Sequence, residues 1–319
     1  MTEHIFLALT PERSEFYRWS GAHLAQALIE RAGEGSRQGG VYLGRVVKLE
    51  KSLNAAFVEI GIEKPGLLHL KKHGAGLSEG DVVAVQVKRD AREEKGVKLS
   101  LSINTVENID ALKAGKSPPA NLVPPPALWQ TALAALDPAS IDAVHCDRRV
   151  DVERVAAWCR RFDPKLAARV DFLARRDWEP DDGAIADEVA AALEAEVPLP
   201  GGGQLLVEPV RTLTAIDVNS AAATGREGIE QTALGVNIEA AREIPRQLAL
   251  RNLGGIVVVD FIDMENRNRR DQVVEALRQA AALDPAIDWV GNMSRLGLVE
   301  ILRKRTGPSL AEMWAKRAG

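Results

Sequence analysis

Apolar positions divide the chain into stretches of different texture. Residues 5–9 (IFLAL) form a short apolar run, Phe16 and Tyr17 a second, and Leu24, Leu28 and Ile29 recur at helical spacing before Gly33. The first run predicts a strand and the last a helix. From Gly39 onward, short β-type runs follow at 41–49, 55–60, 67–70, 82–87 and 97–102, separated by Gly61, Pro65-Gly66, Gly74, Gly76 and Gly80. Five short strands so spaced predict a small barrel of the OB type, and residues 1–38 are too little for a domain of their own.

Residues 113–126 (KAGKSPPANLVPPP) read as a linker, because each proline fixes φ and removes a backbone donor. Helical patterns come next at 128–136 and 150–161, with a strand at Ala143-Val144 between them. Two strand-like runs, 204–209 and 213–218, precede a helix from about 227 to 253, which Pro245 is expected to kink or break. Gly254-Gly255 ends that helix, 256–262 reads as a buried strand, and 267–283 as an amphipathic helix. Strand, helix, strand is a right-handed crossover, so 213–218 and 256–262 are expected to lie parallel.

Composition narrows the class. With 319 residues, 46% hydrophobic and 27% charged, the chain can fill two or three compact cores. Cys146 and Cys159 form no C-x-x-C pair, which removes disulfide frameworks and four-cysteine zinc sites and suits a reducing cytoplasm. No apolar run reaches the ~18 residues of a membrane span, and the first residues lack signal-peptide order, so a cytoplasmic location is expected. The net charge of −4 argues against a uniformly basic coat. Locally the balance differs: residues 39–103 hold eight Lys and three Arg against eight acids, whereas 171–200 hold nine acids and two bases.

Two of the apolar strands end on an acid, Asp217 in 213–220 (LTAIDVNS) and Asp260 in 256–263 (IVVVDFID). Parallel neighbours would deliver both carboxylates to one carboxyl edge, where open α/β sheets place their ligands. Two carboxylates ~4 Å apart repel by about 4 kcal/mol at an effective dielectric of 20, so the pair calls for a shared proton or a cation. Hard oxygens select Mg²⁺ or Mn²⁺, with open positions for phosphate oxygens and water. Asn219 can orient a carboxylate without adding charge. The competing reading makes Asp217 a turn acid and Asp263 a helix cap. An acid at 260 amid Val257, Val258, Val259 and Phe261 is expected to be buried and therefore partnered, which favours the metal pair; Asp263 is assigned to the opposite face.

These same residues carry a resemblance. The runs 213–220, 239–248 (EAAREIPRQL), 253–264 (LGGIVVVDFIDM) and 294–300 (SRLGLVE) resemble the catalytic core of the ribonuclease E/G family. The runs 42–47 (YLGRVV), 51–61 (KSLNAAFVEIG) and 66–70 (GLLHL) resemble its RNA-binding barrel. The resemblance implies a Mg²⁺-dependent endoribonuclease that cuts single-stranded RNA to 5′-phosphate and 3′-hydroxyl ends, with Asp217 and Asp260 as metal ligands supported by Asn219. It implies an α/β multidomain fold: a ribonuclease-H-like domain from 1–38 and 127–205, interrupted by the barrel at 39–103 and the linker at 104–126, then a deoxyribonuclease-I-like subdomain at 206–319.

The resemblance also places Phe57, Lys95 and Tyr42 as RNA contacts on the barrel, with Leu67 where a second aromatic is common. Phe57 has the alternative of filling the barrel interior. Arg295 is the RNA contact expected among ten bases and seven acids in 265–319, of which Arg267, Arg269 and Arg270 fit a solvated helix face equally well. The short 103–127 interval has no Arg-Thr pair for sensing a 5′-monophosphate. The chain stops before the cysteine pair that links larger members through zinc, so no zinc, and a monomer or weak dimer in preference to a tetramer, are expected. An RNA-binding protein without turnover, or a nuclease for DNA, are the alternatives. His69 and His73 are read as chance placements.

Overall fold

The computed structural model describes residues 3–21, 23–70, 76–91, 96–103, 108–178, 184–220 and 226–315. The chain forms two compact units, one from residues 1–32 and 132–319 and one from 33–131. The first unit opens with β1 (Glu3–Leu9), β2 (Arg13–Ser20) and β3 (His23–Arg31), an antiparallel meander. The helix expected over Leu24, Leu28 and Ile29 is therefore a strand. A spacing of four satisfies a period of two as well as one of 3.6, and β3 is buried on both faces at Leu24, Ala25, Ala27, Leu28 and Ile29.

The second unit is the barrel. Its strands are β4 (Val41–Glu50), β5 (Ala55–Glu59), β6 (Gly66–His69), β7 (Val82–Arg89) and β8 (Lys98–Ser100). They hydrogen-bond in the order β5-β6-β8-β7-β4, and a β4–β5 ladder closes the ring around Val46, Val58, Leu68, Val85, Val87 and Leu99. Closure needs a near approach at Gly44, where a Cβ would lie 2.6 Å from Val58 Cγ1 and 2.7 Å from the Glu59 carbonyl oxygen. The segment expected to be a plain linker contributes α1 (Ile109–Lys113) and β9 (Ala120–Val123), which pairs antiparallel with β4. The four residues of β9 contain no proline, and β9 is an edge strand, so Pro119 and Pro124 beside it cost no ladder bond.

After α2 (Leu128–Ala134), the chain returns to the first sheet with β10 (Ile141–Cys146), α3 (Arg149–Phe162), α4 (Pro164–Ala167) and β11 (Val170–Phe172). β10 and β11 are parallel to β1, giving the order β11-β10-β1-β2-β3. Then follow α5 (Ala184–Ala191), β12 (Glu196–Pro198), β13 (Gln204–Pro209), β14 (Leu213–Asn219), α6 (Arg226–Leu250), β15 (Gly255–Asp260), α7 (Arg267–Ala281), β16 (Ile287–Val290), β17 (Leu298–Arg303) and α8 (Leu310–Ala315). Their sheet runs β12-β13-β14-β15-β17-β16, with β14 and β15 parallel as expected.

One face of this sheet is covered. Leu205, Val207, Ile216, Val218, Val257, Val259, Val299 and Ile301 pack against Ala240, Ile244 and Leu248 of α6 and Val273 and Leu277 of α7. Alternation along each strand then puts Ala215, Asp217 and Asn219 of β14 and Val258 and Asp260 of β15 on the other face. Pro245 does not break α6, which runs unbroken past it. An interior proline costs about 3 kcal/mol, which burial of Ala240, Ala241, Ile244 and Leu248 around it can offset. Among the described residues, no helix is long and apolar enough to cross a membrane.

Candidate active site and nucleic-acid face

β14 and β15 pair in parallel with Asp217 opposite Asp260, the first two residues before the end of β14 and the second the last residue of β15. Neighbouring strands lie roughly 5 Å apart, and partners in register point to the same face. Asn219 Nδ2 donates to Asp217 Oδ2 at 2.8 Å, which orients that carboxylate while leaving its charge in place. Partial loss of surrounding water against the strand edge, then the charges of Asp217 and Asp263, push the Asp260 carboxyl above the usual carboxylate range. Like charge is thus concentrated here, and among the described residues none of the three aspartates makes an ion pair.

Two expectations are corrected. Asp260 is exposed, not buried: β15 ends at it and its side chain leaves on the uncovered face. Asp263 does not cap the next helix. Asn266 does, accepting from the N–H groups of Asn268 and Arg269, while Asp263 turns back toward Asp260. The two Oδ1 atoms lie 3.3 Å and 3.8 Å from the point where a Cβ on Gly297 would sit. Because the β ladder stops at Asp260, the period-two argument that put Asp263 on the opposite face no longer applies beyond it.

The residues suit a small hard cation. Their donors are all oxygen, and among the described residues no ion pair relieves the like-charge crowding at Asp260. Among the described residues, no group of three or more His, Cys, Asp or Glu could enclose a metal ion. Mg²⁺ is commonly held by one or two carboxylates, with its remaining positions left to water and substrate.

Basic residues surround the acids unequally. Arg295 is exposed on the loop between β16 and β17, whose far end pairs Leu298 with Asp260. Arg269 is committed to Glu230 at 2.7 Å, and Arg270 donates to the Glu265 carbonyl, so these two belong to the fold. Arg267 is exposed. In the core, Cys146 and Cys159 are free buried thiols, pushed by burial up to about 12 and about 11, and so unsuited to nucleophilic work.

On the barrel, Phe57 stands outside the core, half-buried between Ala56 and Val58, which face inward. Cross-strand register sets it in a lateral row: Lys48 opposite Phe57, Phe57 opposite Leu67, Leu67 opposite Lys98, and Lys98 opposite Arg89. Lys48, Lys98 and Arg89 are exposed, so an aromatic and an aliphatic side chain lie between cations. Sequence reasoning did not single out these three; the signal was alternation within β4, β7 and β8, but only the pairing register reveals them as neighbours. Tyr42 is corrected: it is 7% exposed in the barrel core, with its hydroxyl pushed above the ordinary tyrosine range by burial, and offers no ring face to a base. Lys95 and His73 lie outside the described residues.

Comparison with known proteins bears on the whole chain. A model of the Ribonuclease E/G family matches residues 78–306. Ribonuclease G of Escherichia coli strain K12 is 27% identical over an alignment of 397 positions, covering 97% of this chain and 81% of that protein. The alignment is longer than the chain, so that relative holds residues this chain lacks. Ribonuclease E of the same strain is 30% identical, covering 92% of this chain and 36% of its own length. Ribonuclease E of Haemophilus influenzae is also 30% identical, over 92% of this chain and 40% of its own. With most of its length matched by the family model and its paired aspartates at one sheet edge, the chain belongs to the Ribonuclease E/G family.

Proposed function

We propose that the protein is an endoribonuclease that hydrolyses single-stranded RNA at the Asp217–Asp260 edge, leaving 5′-phosphate and 3′-hydroxyl ends. The observation that carries this reading is the in-register pairing of the two aspartates on parallel strands, one of them oriented by Asn219. A pure binding protein has no physical need for uncompensated acids brought side by side. Asp217 and Asp260 would hold Mg²⁺, with Mn²⁺ as a substitute. When bound, the ion supplies positive charge to phosphate oxygens and acidifies water. Asn219 holds Asp217 in its acceptor orientation, and Arg295 contacts a backbone phosphate from the adjoining loop.

The barrel supplies grip. Phe57 stacks on a base, worth about 1–3 kcal/mol, while Lys48, Lys98, Arg89 and the expected contact Lys95 meet phosphates. Leu67 beside Phe57 extends the apolar platform without a second stacking ring. Three antiparallel strands followed by two parallel ones in the sheet of β1 support the ribonuclease-H-like assignment. The two-layer unit built on β14 and β15 supports the deoxyribonuclease-I-like one. Free buried thiols suit a cytoplasmic location.

The test uses end-labelled single-stranded RNA, and DNA of the same sequence, with wild type, Asp217→Asn and Asp260→Asn across a Mg²⁺ titration. Wild type should cut RNA only with the ion, and each variant should be slower by about 100- to 1000-fold, the usual effect of removing one electrostatic stabiliser. Equal cutting by all three proteins overturns the proposal, and preferential cutting of DNA overturns the choice of substrate.

A further inference from the structure

The acids do not hold their own spacing. The β15 ladder ends at Asp260, and residues 261–266 run without regular structure to the start of α7. Near the start of this segment, one residue before Asp263 and two after Asp260, Ile262 is gripped by a single side chain. Asn237 of α6 donates from Nδ2 to the Ile262 carbonyl at 2.8 Å and accepts from the Ile262 N–H at Oδ1 at 3.0 Å. Asn237 is fully buried among apolar neighbours, with Val236 and Ala240 beside it in the core. A primary amide is the side chain that can satisfy a backbone donor and acceptor of one residue at once.

Farther along, Glu230 of the same helix accepts from the N–H groups of Glu265 and Asn266 at 3.0 and 3.2 Å. Gly297 abuts the segment on the strand side, where a Cβ would come within 3.2 Å of the Phe261 carbonyl oxygen.

We infer that Asn237 is a positioning residue for the acidic centre: by replacing the missing ladder at Ile262, it sets where Asp263 stands relative to Asp260 and so tunes cation affinity from inside the core. The inference rests on the reading that Asp217 and Asp260 hold the cation. A carboxylate cluster is a good cation site only while its members are held close against their own repulsion. Releasing Ile262 frees the chain that leaves β15 at Asp260 and lets the negative charge of Asp263 move away from the Asp217–Asp260 pair, and both changes lower the pull on a cation.

Full-length wild type, Asn237→Ala and Leu277→Ala are compared by Mn²⁺ binding in electron paramagnetic resonance without RNA, by the Mg²⁺ concentration for half-maximal cleavage, and by RNA affinity in EDTA. Leu277→Ala truncates the same core at a position that takes no part in these hydrogen bonds and serves as the destabilised control. If Asn237→Ala does not fold, Asn237→Ser replaces it, since serine is also too short to span both groups of Ile262.

The expected result for the Asn237 variant is Mn²⁺ binding weakened by about 10-fold or more, a matching rise in the Mg²⁺ requirement, and unchanged RNA affinity. Mn²⁺ affinity within twofold of wild type, or an equal loss in Leu277→Ala, overturns the inference. A wild type that neither binds Mn²⁺ nor cuts RNA overturns the proposed function itself. A wild type that does both beside an unaffected Asn237 variant overturns only the positioning role.

Discussion

Replacing Asp260 with Asn should make the protein more stable and less active at once, provided no divalent ion is present. Asp217 and Asp260 are in register on neighbouring strands roughly 5 Å apart, and two carboxylates at that separation repel by about 3 kcal/mol at an effective dielectric of 20 and about 1 kcal/mol in water. Asp260 is exposed, so the lower value applies, reduced further by salt. Asn keeps the shape and removes the charge. For a unit of about 200 residues, relief of ~1 kcal/mol raises Tm by about 2–4 °C.

The pH dependence has a defined sign. The folded-state carboxyl of Asp260 sits above its unfolded value, so the folded form takes up its proton more readily. The penalty is therefore present above the folded pKa and fades as pH falls through it. The assay is differential scanning calorimetry of wild type and Asp260→Asn in EDTA and in Mg²⁺, repeated from neutral to acid pH. In EDTA at neutral pH the variant should melt higher, and the gap should close on acidification. Mg²⁺ at ten times its Kd should stabilise wild type by about 1.4 kcal/mol and leave the variant largely unmoved. A variant that melts lower than wild type in EDTA, or that gains as much from Mg²⁺, would refute the claim that these carboxylates strain the apo centre and share a cation.

Other sites give independent checks. Phe57→Ala should weaken single-stranded RNA binding by about 5- to 150-fold, the equivalent of one lost stack, with Tm unchanged because the ring lies outside the barrel core; fluorescence anisotropy with circular dichroism reads both. Lys98→Ala should lower the slope of log affinity against log salt by about 1, and an unchanged slope removes Lys98 from the phosphate contacts. Gly297→Ala places a methyl group 3.3 Å from Asp263 Oδ1 at a positive φ of 82°, so cleavage should fall while RNA affinity holds. Arg303→Ala should destabilise by about 3–5 kcal/mol in urea titration, since this buried guanidinium pairs with Asp284 at 2.8 Å and donates to the Leu253 carbonyl.

Much of the architecture was legible. The five barrel strands and the parallel pair β14 and β15 were read from apolar runs bounded by Gly and Pro, because in both cases burial demands one unbroken pattern. β3 was misread because Leu24 and Leu28 satisfy helix and strand periods alike. β9 was missed because the prolines around it are harmless only at an edge, and edge position is a property of the assembled sheet. Of the kink or break expected at Pro245, the break does not occur, because local propensity gives way to the burial of Ala241, Ile244 and Leu248.

At the candidate centre, the order of residues along the chain is enough to bring Asp217 and Asp260 to one sheet edge with Asn219 beside them, since the strand period and the crossover rule act over short distances and need no partner. Which further groups join them was settled only in three dimensions. Asp263 turns back toward Asp260, Asn237 reaches Ile262 from 25 residues away, Tyr42 disappears into the barrel, and Lys48, Lys98 and Arg89 come to flank Phe57 and Leu67. Local periodicity determines which way a side chain faces within its own element; what it meets there depends on register and packing between elements, and no stretch of sequence contains those contacts.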